Sequence, residues 1–303
     1  NVENDTKNIG VQSIIVVEDN IKFYSSYLPI IYTEVFKQSQ RLIKEGINLT
    51  HKFLRMRARP KILLCTNYEE AWNYYEKYQQ DVLGLILDVN FKHNGVKDPE
   101  AGIKLARAVK AQHEDIPILL QSSDDSFREQ AHQIDAAFAH KNSPRLLQEL
   151  REFMLQNFGF GDFIFINNEG KEVFRASNLS QLEEALKQIP DESLVYHASR
   201  NHFSKWLKAR TEFYLAHELR PHKVTDFGSV QGLRDRLLTS LQEYRKLQQS
   251  GIILDFDKEI FDTKNSFARI GGGSLGGKAR GLGFINILLT NYNLKHKFDD
   301  VEI

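Results

Sequence analysis

Short apolar segments alternate with longer amphipathic segments between residues 13 and 157. Apolar runs of five or six residues, bounded by polar sequence, are typical of strands buried on both faces, as in a parallel sheet. The intervening segments have the spacing of apolar residues expected of helices. Strands that alternate with helices predict an α/β fold with right-handed crossovers. The predicted strands are Ser13–Val17, Lys61–Cys65, Leu83–Asp88, Ile116–Gln121 and Ala136–His140.

Several residues mark the ends of the predicted helices. Asn67 and Ser143 are suitable N-caps, and Pro144 fits a first helical turn. Pro29 should kink the first long helix or mark a restart. Residues 1–10 are polar, so we expect them to be frayed. The predicted helices span 21–45, about 50–57, 67–78, 100–111, 125–134 and 143–156.

Polar residues follow the strands at the end where a parallel sheet binds ligands. Glu18 and Asp19 follow the first strand, Asp88 ends the third, Ser122 follows the fourth and Lys141 follows the fifth. In an open α/β sheet, ligands bind beyond the carboxyl ends of the strands. Three carboxylates at one edge would repel one another unless a cation lay among them, and Mg²⁺ prefers such oxygen ligands.

The same residue types suit phosphoryl chemistry. A metal among the acids could hold a phosphoryl group against Asp88 and stabilise the charge that builds up during transfer. Lys141 could pair with the phosphoryl oxygens, and Ser122 could donate a hydrogen bond to one of them. Each residue alone has an ordinary explanation, since a lone lysine is usually a solvated surface residue. Their occurrence at successive strand ends favours a site.

Residues 12–157 resemble the receiver domain of two-component response regulators. The resemblance implies a flavodoxin-like, five-stranded parallel sheet of order 2-1-3-4-5, with Asp88 as the phosphoryl acceptor. It also implies a Mg²⁺ site at Glu18 and Asp19, completed by Asp88 and the Asn90 backbone carbonyl. Ser122 and Lys141 match the switch hydroxyl and the lysine of the family, and Phe138 matches its switch aromatic. The implied partners are a sensor histidine kinase or a small phosphodonor. The stretches that carry the match are 14–19, 85–88, 117–122 and 138–141.

Three features depart from the pattern of that family. The segment between Asp19 and the second strand is about twenty residues longer than the family pattern predicts. The loop Phe91–Pro99 after Asp88 is also long, and it could cover the site or alter partner choice. Asn142 follows Lys141, at the position where proline is frequent in that family. The resemblance therefore does not determine the geometry of the peptide bond between these two residues.

Composition narrows the functional classes. Forty basic and forty acidic residues among 303 give no net charge, which favours neither nucleic acid nor an anionic membrane as a partner. Cys65 is the only cysteine, so no internal disulfide can form. No apolar stretch approaches membrane-spanning length and no signal peptide is visible, so we expect a cytoplasmic protein. Because the chain begins with Asn1, we also expect it to be part of a longer protein.

The pattern changes after residue 158. A hairpin is predicted around the turn Asn167–Gly170, a capping box at Ser180–Glu183 predicts a helix to Gln188, and further helices are predicted at 201–219 and 230–248. Four histidines (His197, His202, His217 and His222) lack the one-turn spacing of a zinc helix, so core or surface roles are favoured. We therefore predict three parts: a receiver-like domain at 1–158, an α+β interaction or transmission module at 159–250, and a linker with a glycine-rich start of another domain at 251–303.

The glycine-rich stretch Gly271–Gly281 satisfies two phosphate-binding patterns incompletely. It contains G-x-G-x-x-G without a following strand, and G-x-x-x-x-G-K with Ala279 where a P-loop needs Ser or Thr. A flexible linker is the simplest alternative. Residues 270–282 resemble the opening of the ATP-binding domain in the phosphoenolpyruvate synthase and pyruvate phosphate dikinase family. The resemblance implies nucleotide-phosphate contacts from Lys278 and Arg280, with ATP bound only by the full-length protein.

The leading hypothesis is a regulatory region that accepts a phosphoryl group on Asp88 and controls a downstream phosphotransferase of the same chain. Within residues 1–303 we expect no catalysis beyond autophosphorylation and dephosphorylation. One alternative is a receiver fold used for docking or homodimerisation, favoured by apolar residues between positions 20 and 57 that include Phe36, Leu42, Ile43 and Phe53. Another is an ATP-using enzyme within the chain itself, which the incomplete glycine motif argues against.

Overall fold

A computed structural model of the chain describes residues 2–45, 49–220, 227–249, 253–256, 267–271 and 273–291. The helices are α1 (Val2–Ile9), α2 (Ile21–Lys44), α3 (Leu49–Arg57), α4 (Tyr68–Tyr78), α5 (Ala101–Gln112), α6 (Phe127–Gln133), α7 (Leu146–Asn157), α8 (Leu179–Gln188), α9 (Asp191–Ser199), α10 (His202–Ala209), α11 (Phe213–Glu218), α12 (Val230–Gln249) and α13 (Gly277–Asn291). The strands are β1 (Ser13–Val17), β2 (Lys61–Cys65), β3 (Val82–Asp88), β4 (Phe91–His93), β5 (Val96–Asp98), β6 (Ile118–Ser122), β7 (Ala137–His140), β8 (Phe163–Ile166), β9 (Glu172–Ala176), β10 (Ile253–Asp255) and β11 (Phe267–Arg269).

Five parallel strands form the central sheet in the order β2-β1-β3-β6-β7. Counting only these strands, the order is 2-1-3-4-5, which confirms the predicted flavodoxin-like α/β fold. The sheet buries both faces. Helices α4 and α5 pack on one face through residues such as Tyr75 and Leu105. Helices α2 and α7 pack on the other through residues such as Ile31 and Leu150.

The prediction that residues 1–10 are frayed is wrong, and the restart that was one of the two expectations at Pro29 is not observed. Residues 2–9 form α1, whose Asp5 and Glu3 pair with Lys61 and Lys77 at 2.8 and 3.1 Å, so this segment is held rather than frayed. Helix α2 continues through Pro29 without a restart. A proline inside a helix costs about 3 kcal/mol. Tyr27, Ile31 and other apolar side chains of α2 are buried, and each contributes roughly 1.5–3 kcal/mol, so burial outweighs the proline.

The region after residue 158 begins with the predicted hairpin, in which β8 and β9 pair antiparallel. Helix α12 begins after Ser229, whose hydroxyl accepts a hydrogen bond from Gly232 N as an N-cap. The N-cap of α8 is Asn178, which accepts from Gln181 N, and not the predicted Ser180. The predicted helix at 201–219 is two helices, because the chain turns sharply at Thr211, where φ is +65°.

The insertion that follows β1 packs against this second region. Buried Arg55 on α3 pairs with buried Glu212 at 2.7 Å, and Glu212 also accepts a hydrogen bond from the Tyr244 hydroxyl at 2.6 Å. On α2, Gln38 donates to the Ala209 carbonyl and accepts from Gly161 N. The inserted helices therefore join the receiver-like sheet to the region that follows it.

The described C-terminal segments are a parallel pair, β10 and β11, and helix α13. Of the four histidines considered above, His222 lies outside the described residues. Within the described ranges, the structure contains no helix that is both long enough and apolar enough to span a membrane.

Candidate functional site

Three carboxylates meet at the carboxyl edge of the sheet. Because β1 and β3 are adjacent and parallel, the residues that end them lie side by side. One oxygen each from Glu18, Asp19 and Asp88 lies within 4.8 Å of the others. Glu18 is 1% exposed and Asp88 is 7% exposed, so two of the three acids are buried.

Lys141 lies between two of these acids. Its Nζ is 2.6 Å from Glu18 Oε2 and 2.8 Å from Asp88 Oδ2. The backbone N–H of Lys141 donates to the Ser122 carbonyl at 2.8 Å, which fixes the lysine beside the end of β6. Its ammonium group also lies 4.4 Å from the centre of the Phe23 ring, a distance suitable for a cation–π contact. The lysine is thus held by two charges and one aromatic face.

The pKa values of the two buried acids are both raised. Desolvation is the main cause for Glu18, and the nearby charge of Asp88 adds to it, while Lys141 acts in the opposite direction. Desolvation also raises the pKa of Asp88, against Lys141 and the backbone N–H groups of Asn90 and Val89. One lysine therefore does not compensate for the burial of both carboxylates.

This imbalance fits a divalent cation. With all three acids ionised, the cluster carries three negative charges, and among the described residues Lys141 and Lys97 oppose them. Oxygen ligands from carboxylates are what Mg²⁺ prefers, and it usually retains several waters besides. The exposed side of Asp19 leaves the cluster accessible from solvent. Glu18, Asp19 and Asp88 are accordingly the residues that could hold Mg²⁺, with the Asn90 carbonyl as the additional ligand proposed from sequence.

The remaining predicted residues lie on, or directly after, strands of the same sheet. Ser122 ends β6, and its Oγ accepts a hydrogen bond from Asp124 N at 3.1 Å. Phe138 on β7 is half-buried, and the Arg128 guanidinium lies 4.7 Å from its ring centre. Asn90 is exposed two residues beyond Asp88. Ser122 thus ends the strand adjacent to the one that ends at Asp88, and Phe138 lies one strand further away.

The long loop after Asp88 contains a hairpin that the sequence reasoning missed. Strands β4 and β5 pair antiparallel around Asn94-Gly95, which both have positive φ values of 53° and 76°. An Asn-Gly pair between short strands is a strong hairpin signal, so the turn could have been predicted. The hairpin brings Lys97 Nζ to 3.4 Å from Asp19 Oδ2. A second cation is therefore placed at the acid cluster.

Gly102 explains how α5 approaches the site. A Cβ at this position would lie 2.1 Å from the Asp88 carbonyl oxygen, a distance that no side chain tolerates. The Gly102 N–H donates to the Val89 carbonyl at 3.0 Å. The close approach of α5 fixes the backbone immediately after Asp88.

Helix α2 contributes aromatic residues that were not predicted as site residues. Phe23 contacts Lys141, and Tyr27 is 1% exposed with no hydrogen-bond partner for its hydroxyl among the described residues. Burial, followed by the charges of Glu18 and Asp88, raises the pKa of Tyr27. The insertion is therefore adjacent to the acids as well as to the second region.

The other candidate residues lie elsewhere. Lys278 and Arg280 are exposed on the first turn of α13, where Arg280 Nε donates to the Leu275 carbonyl at 2.8 Å. His197 Nδ1 lies 2.9 Å from His202 Nδ1, and its Nε2 accepts from Ile166 N at 3.0 Å. Both imidazoles thus serve internal hydrogen bonds, in agreement with the core role predicted for them.

The strand order and the acid cluster agree with the arrangement that the sequence resemblance to receiver domains implies. Comparison with protein families finds no match, and no curated protein is similar in sequence. Solved structures with some likeness include the Vibrio cholerae chemotaxis protein CheY4, with 15% identity, a TM-score of 0.30, and coverage of 48% of this chain and 98% of that one. Another is the Salmonella typhimurium response regulator RcsB, with 13% identity, a TM-score of 0.30, and coverage of 74% and 98%. Such distant likeness adds nothing to what the strand order itself says about the fold.

Proposed function

We propose that residues 12–157 accept a phosphoryl group on Asp88 in the presence of Mg²⁺ and thereby regulate the protein. The observation that carries this proposal is the position of Lys141, whose ammonium group joins Glu18 and Asp88 at 2.6 and 2.8 Å beside a third carboxylate. The arrangement combines a nucleophilic carboxylate oxygen, a cation for phosphoryl oxygens and ligands for a metal. The donor would be a phosphohistidine of a sensor kinase or a small acyl phosphate.

In the proposed reaction, a carboxylate oxygen of Asp88 attacks the phosphorus atom. The new O–P bond forms as the bond to the imidazole nitrogen or acyl oxygen breaks, and the leaving group keeps the electron pair. Bound Mg²⁺ would neutralise charge on the phosphoryl oxygens. Lys141 would exchange its contact with Asp88 for one with a phosphoryl oxygen and so remain paired. Ser122 would turn its hydroxyl from Asp124 N toward another phosphoryl oxygen.

The added charge supplies the regulatory signal. A phosphoryl group brings about −1.5 to −2 charges at pH 7 and strong acceptor oxygens. Movement of Ser122 toward it would open space beside β6 and β7, where Phe138 is half-buried. Helix α2 touches Lys141 through Phe23 and also packs against the region after residue 158. The charge at Asp88 therefore has a direct structural route to the rest of the chain.

Fluorine NMR with Mg²⁺ and beryllium fluoride tests the acceptor. We expect a bound fluoride signal from the wild type, and from Asp125→Asn as a matched exposed control on the same edge, but none from Asp88→Asn. Intact-mass measurement after treatment with acetyl phosphate should show one added phosphoryl group in the same two proteins. Equal signals from Asp88→Asn and the wild type would reject Asp88 as the acceptor.

We further propose that the regulated activity is an ATP-dependent phosphotransfer of the phosphoenolpyruvate synthase type, located downstream in the same chain. Support comes from the glycine-rich stretch before α13, and from Lys278 and Arg280 on its first turn. Calorimetry should show no ATP binding by residues 1–303. A protein extended to include the following domain should bind ATP and lose most of that affinity in Lys278→Ala. Unchanged affinity in this variant would make the stretch a linker.

A docking or homodimerisation role is the second candidate. It is favoured by Tyr32 and Phe36, which are one turn apart on α2 and 58% and 51% exposed, and by Phe53 on α3, which is 53% exposed. Sedimentation should show a smaller mass for Tyr32→Ser/Phe36→Ser than for the wild type if this face joins two copies. A monomeric wild type would reject homodimerisation through this face.

A further inference from the structure

A narrow cleft lies at the opposite edge of the sheet from the acid cluster. Its walls come from the amino ends of β3 and β6 on one side and from α10 and the end of α11 on the other. It is lined by Val82, Leu83, Ile116, Pro117, Asp115 and Gln79 from the receiver-like domain, and by Asn201, Ser204, Lys205, Lys208 and Arg220 from the second region. The cleft is therefore formed only where the two regions meet.

The lining carries an excess of positive charge. Lys205, Lys208 and Arg220 supply three positive charges, and Asp115 is the only carboxylate among the lining residues. Asp115 accepts hydrogen bonds from Asn201 Nδ2 at 2.7 Å and from Arg220 Nη2 at 3.1 Å. It also attracts the two lysines at longer range, but its single negative charge is shared among three cations.

Both lysine ammonium groups bind only backbone carbonyls in the part of the chain that the structure describes. Lys205 Nζ donates to the Arg200 carbonyl at 3.1 Å, and Lys208 Nζ donates to the Gln80 carbonyl at 2.6 Å. Each has two further protons to donate. A sheltered ammonium group without a paired charge is costly, because its desolvation is only partly compensated.

Ser204 provides an independent indication of a ligand. Its side chain is fully buried, it lines the same cleft, and its hydroxyl has no hydrogen-bond partner among the described residues. Buried hydroxyls are nearly always hydrogen-bonded, so an unpaired one calls for a partner. A ligand oxygen in the cleft could accept from Ser204 and from the unused lysine protons at the same time.

We propose that this cleft binds a small phosphate-type dianion, namely inorganic phosphate or the phosphoryl group of a small phosphomonoester. A dianion matches the net charge of the lining residues, which is +2, whereas a single carboxylate would leave one charge uncompensated. Several acceptor oxygens on one centre suit two ammonium groups and a hydroxyl. The narrowness of the cleft excludes a nucleotide base. The ligand would bind residues from both regions and hold them together.

Protonation of the lysines should control the affinity. Burial lowers the pKa of Lys205 to about 8, with Asp115 and Asp135 opposing this shift and Lys110 and Arg220 adding to it. Burial likewise lowers the pKa of Lys208 to about 8, with Arg220 adding to the shift and Asp81 and Asp115 opposing it. Only the charged lysines attract a dianion, so binding should weaken as the pH rises above this value.

The test uses the 303-residue chain carrying Asp88→Asn, without Mg²⁺, so that phosphate at the acid cluster does not contribute. At constant ionic strength, we expect about 10 mM phosphate to raise the melting temperature by roughly 3 °C. Methyl phosphate should act similarly if a phosphomonoester fits, and a response to inorganic phosphate alone would restrict the ligand to the free ion. Lys205→Gln/Lys208→Gln should abolish the response, whereas Lys187→Gln on α8 should retain it.

Sulfate serves as the probe for pH, because it does not titrate in the relevant range. Its stabilising effect should be present at about pH 7 and lost at about pH 9.5, where both lysines are largely neutral. Ser204→Ala should reduce the phosphate response without abolishing it. The proposal is overturned if phosphate fails to stabilise the wild-type cleft, or if the double lysine variant, once shown to be folded by circular dichroism, responds as strongly as the Lys187→Gln control.

Discussion

Sheltered lysines occupy opposite edges of the same sheet in opposite electrostatic settings. At the carboxyl edge, Lys141 lies between two buried carboxylates, and negative charge is in excess. At the amino edge, Lys205 and Lys208 bind only carbonyls among the described residues, and positive charge is in excess. The comparison shows that the burial of a lysine does not by itself indicate which kind of ligand binds near it. The sign of the uncompensated charge indicates whether a cation or an anion is missing.

The largest expected effect is that of Lys141→Met. Without magnesium, this change leaves Glu18 and Asp88 buried with no cation between them, and it should lower the free energy of unfolding by about 3 kcal/mol. Urea denaturation measures the change, and added Mg²⁺ should restore part of it. As a control, Lys187 is exposed and its partner Glu183 also pairs with Arg245, so Lys187→Met leaves no carboxylate without a cation and should cost less than about 1 kcal/mol. Equal losses in the two variants would show that Lys141 is not needed to compensate for the acids.

The second expected effect concerns Mg²⁺ affinity and pH. Carboxylates must be deprotonated to bind a metal, and the pKa values of Glu18 and Asp88 are both raised. Affinity should therefore fall as the pH is lowered, beginning above the range in which ordinary carboxylates titrate. Where one proton must be displaced, the loss approaches about tenfold per pH unit. Calorimetry at several pH values measures it.

Glu18→Gln provides the control for this titration, because it removes one of the two raised pKa values. The variant should bind Mg²⁺ more weakly and depend less on pH. Affinity of the wild type that stayed constant down to about pH 4 would contradict the proposed involvement of the two buried acids.

The third prediction is that removing a lysine stabilises the protein, whereas the first is that removing a lysine destabilises it. Lys205→Met should raise the free energy of unfolding by about 1 kcal/mol at pH 7 in phosphate-free buffer, because it removes a charge whose desolvation the more distant carboxylates compensate only in part. Between the folded-state pKa of about 8 and the ordinary lysine value, the unfolded wild type binds more protons than the folded protein. Wild-type stability therefore rises relative to the variant across this window. Denaturation at successive pH values should show the advantage of the variant shrinking.

A destabilised Lys205→Met protein in phosphate-free buffer would indicate a different role for the lysine. The hydrogen bond from its ammonium group to the Arg200 carbonyl would then stabilise the fold by more than the desolvation of the charge costs. The amino edge would in that case resemble the carboxyl edge in having its lysine compensated by protein groups. That result would remove the electrostatic basis of the comparison.

The smallest expected effect is that of Ser204→Ala. Removing a buried hydroxyl without a partner should change the free energy of unfolding by less than about 1 kcal/mol, in the stabilising direction. Ser193→Ala on α9 is a matched control, since its buried hydroxyl also has no partner among the described residues but does not line the cleft. Both variants should be similarly stable without phosphate, and only Ser204→Ala should respond less to it.

The sheet and the acid cluster were predictable because both depend on local sequence. The five strands end at residues that are identified directly in the sequence, and parallel strands place those ends at one edge. Asp88, Lys141 and Glu18 therefore came together as expected. The span of α2 was predicted to within one residue, but its continuation through Pro29 without a restart depends on the tertiary burial of Tyr27 and Ile31.

The cleft at the amino edge could not be predicted from sequence. Asp115 and Arg220 are 105 positions apart, and nothing in either local sequence indicates that they meet. Lys205 and Lys208 look like solvated residues of an amphipathic helix, which is the usual interpretation of such positions. Only the packing of α10 against β3 shelters them.

Helix α2 packs against the sheet and also connects the acid cluster to the second region, so a tilt at one of its ends displaces the other. Its first turn is tied to the acid cluster, where Asn20 N donates to Glu18 Oε1 at 3.1 Å. Its last turn is tied to the second region, where Arg41 pairs with Asp162. A helix of 24 residues is about 36 Å long, so tilting it by about 5° at one end displaces the other by about 3 Å. A small tilt at the acid cluster, which need not disturb the sheet, would thus displace the end of the helix near Asp162 by about the length of a hydrogen bond.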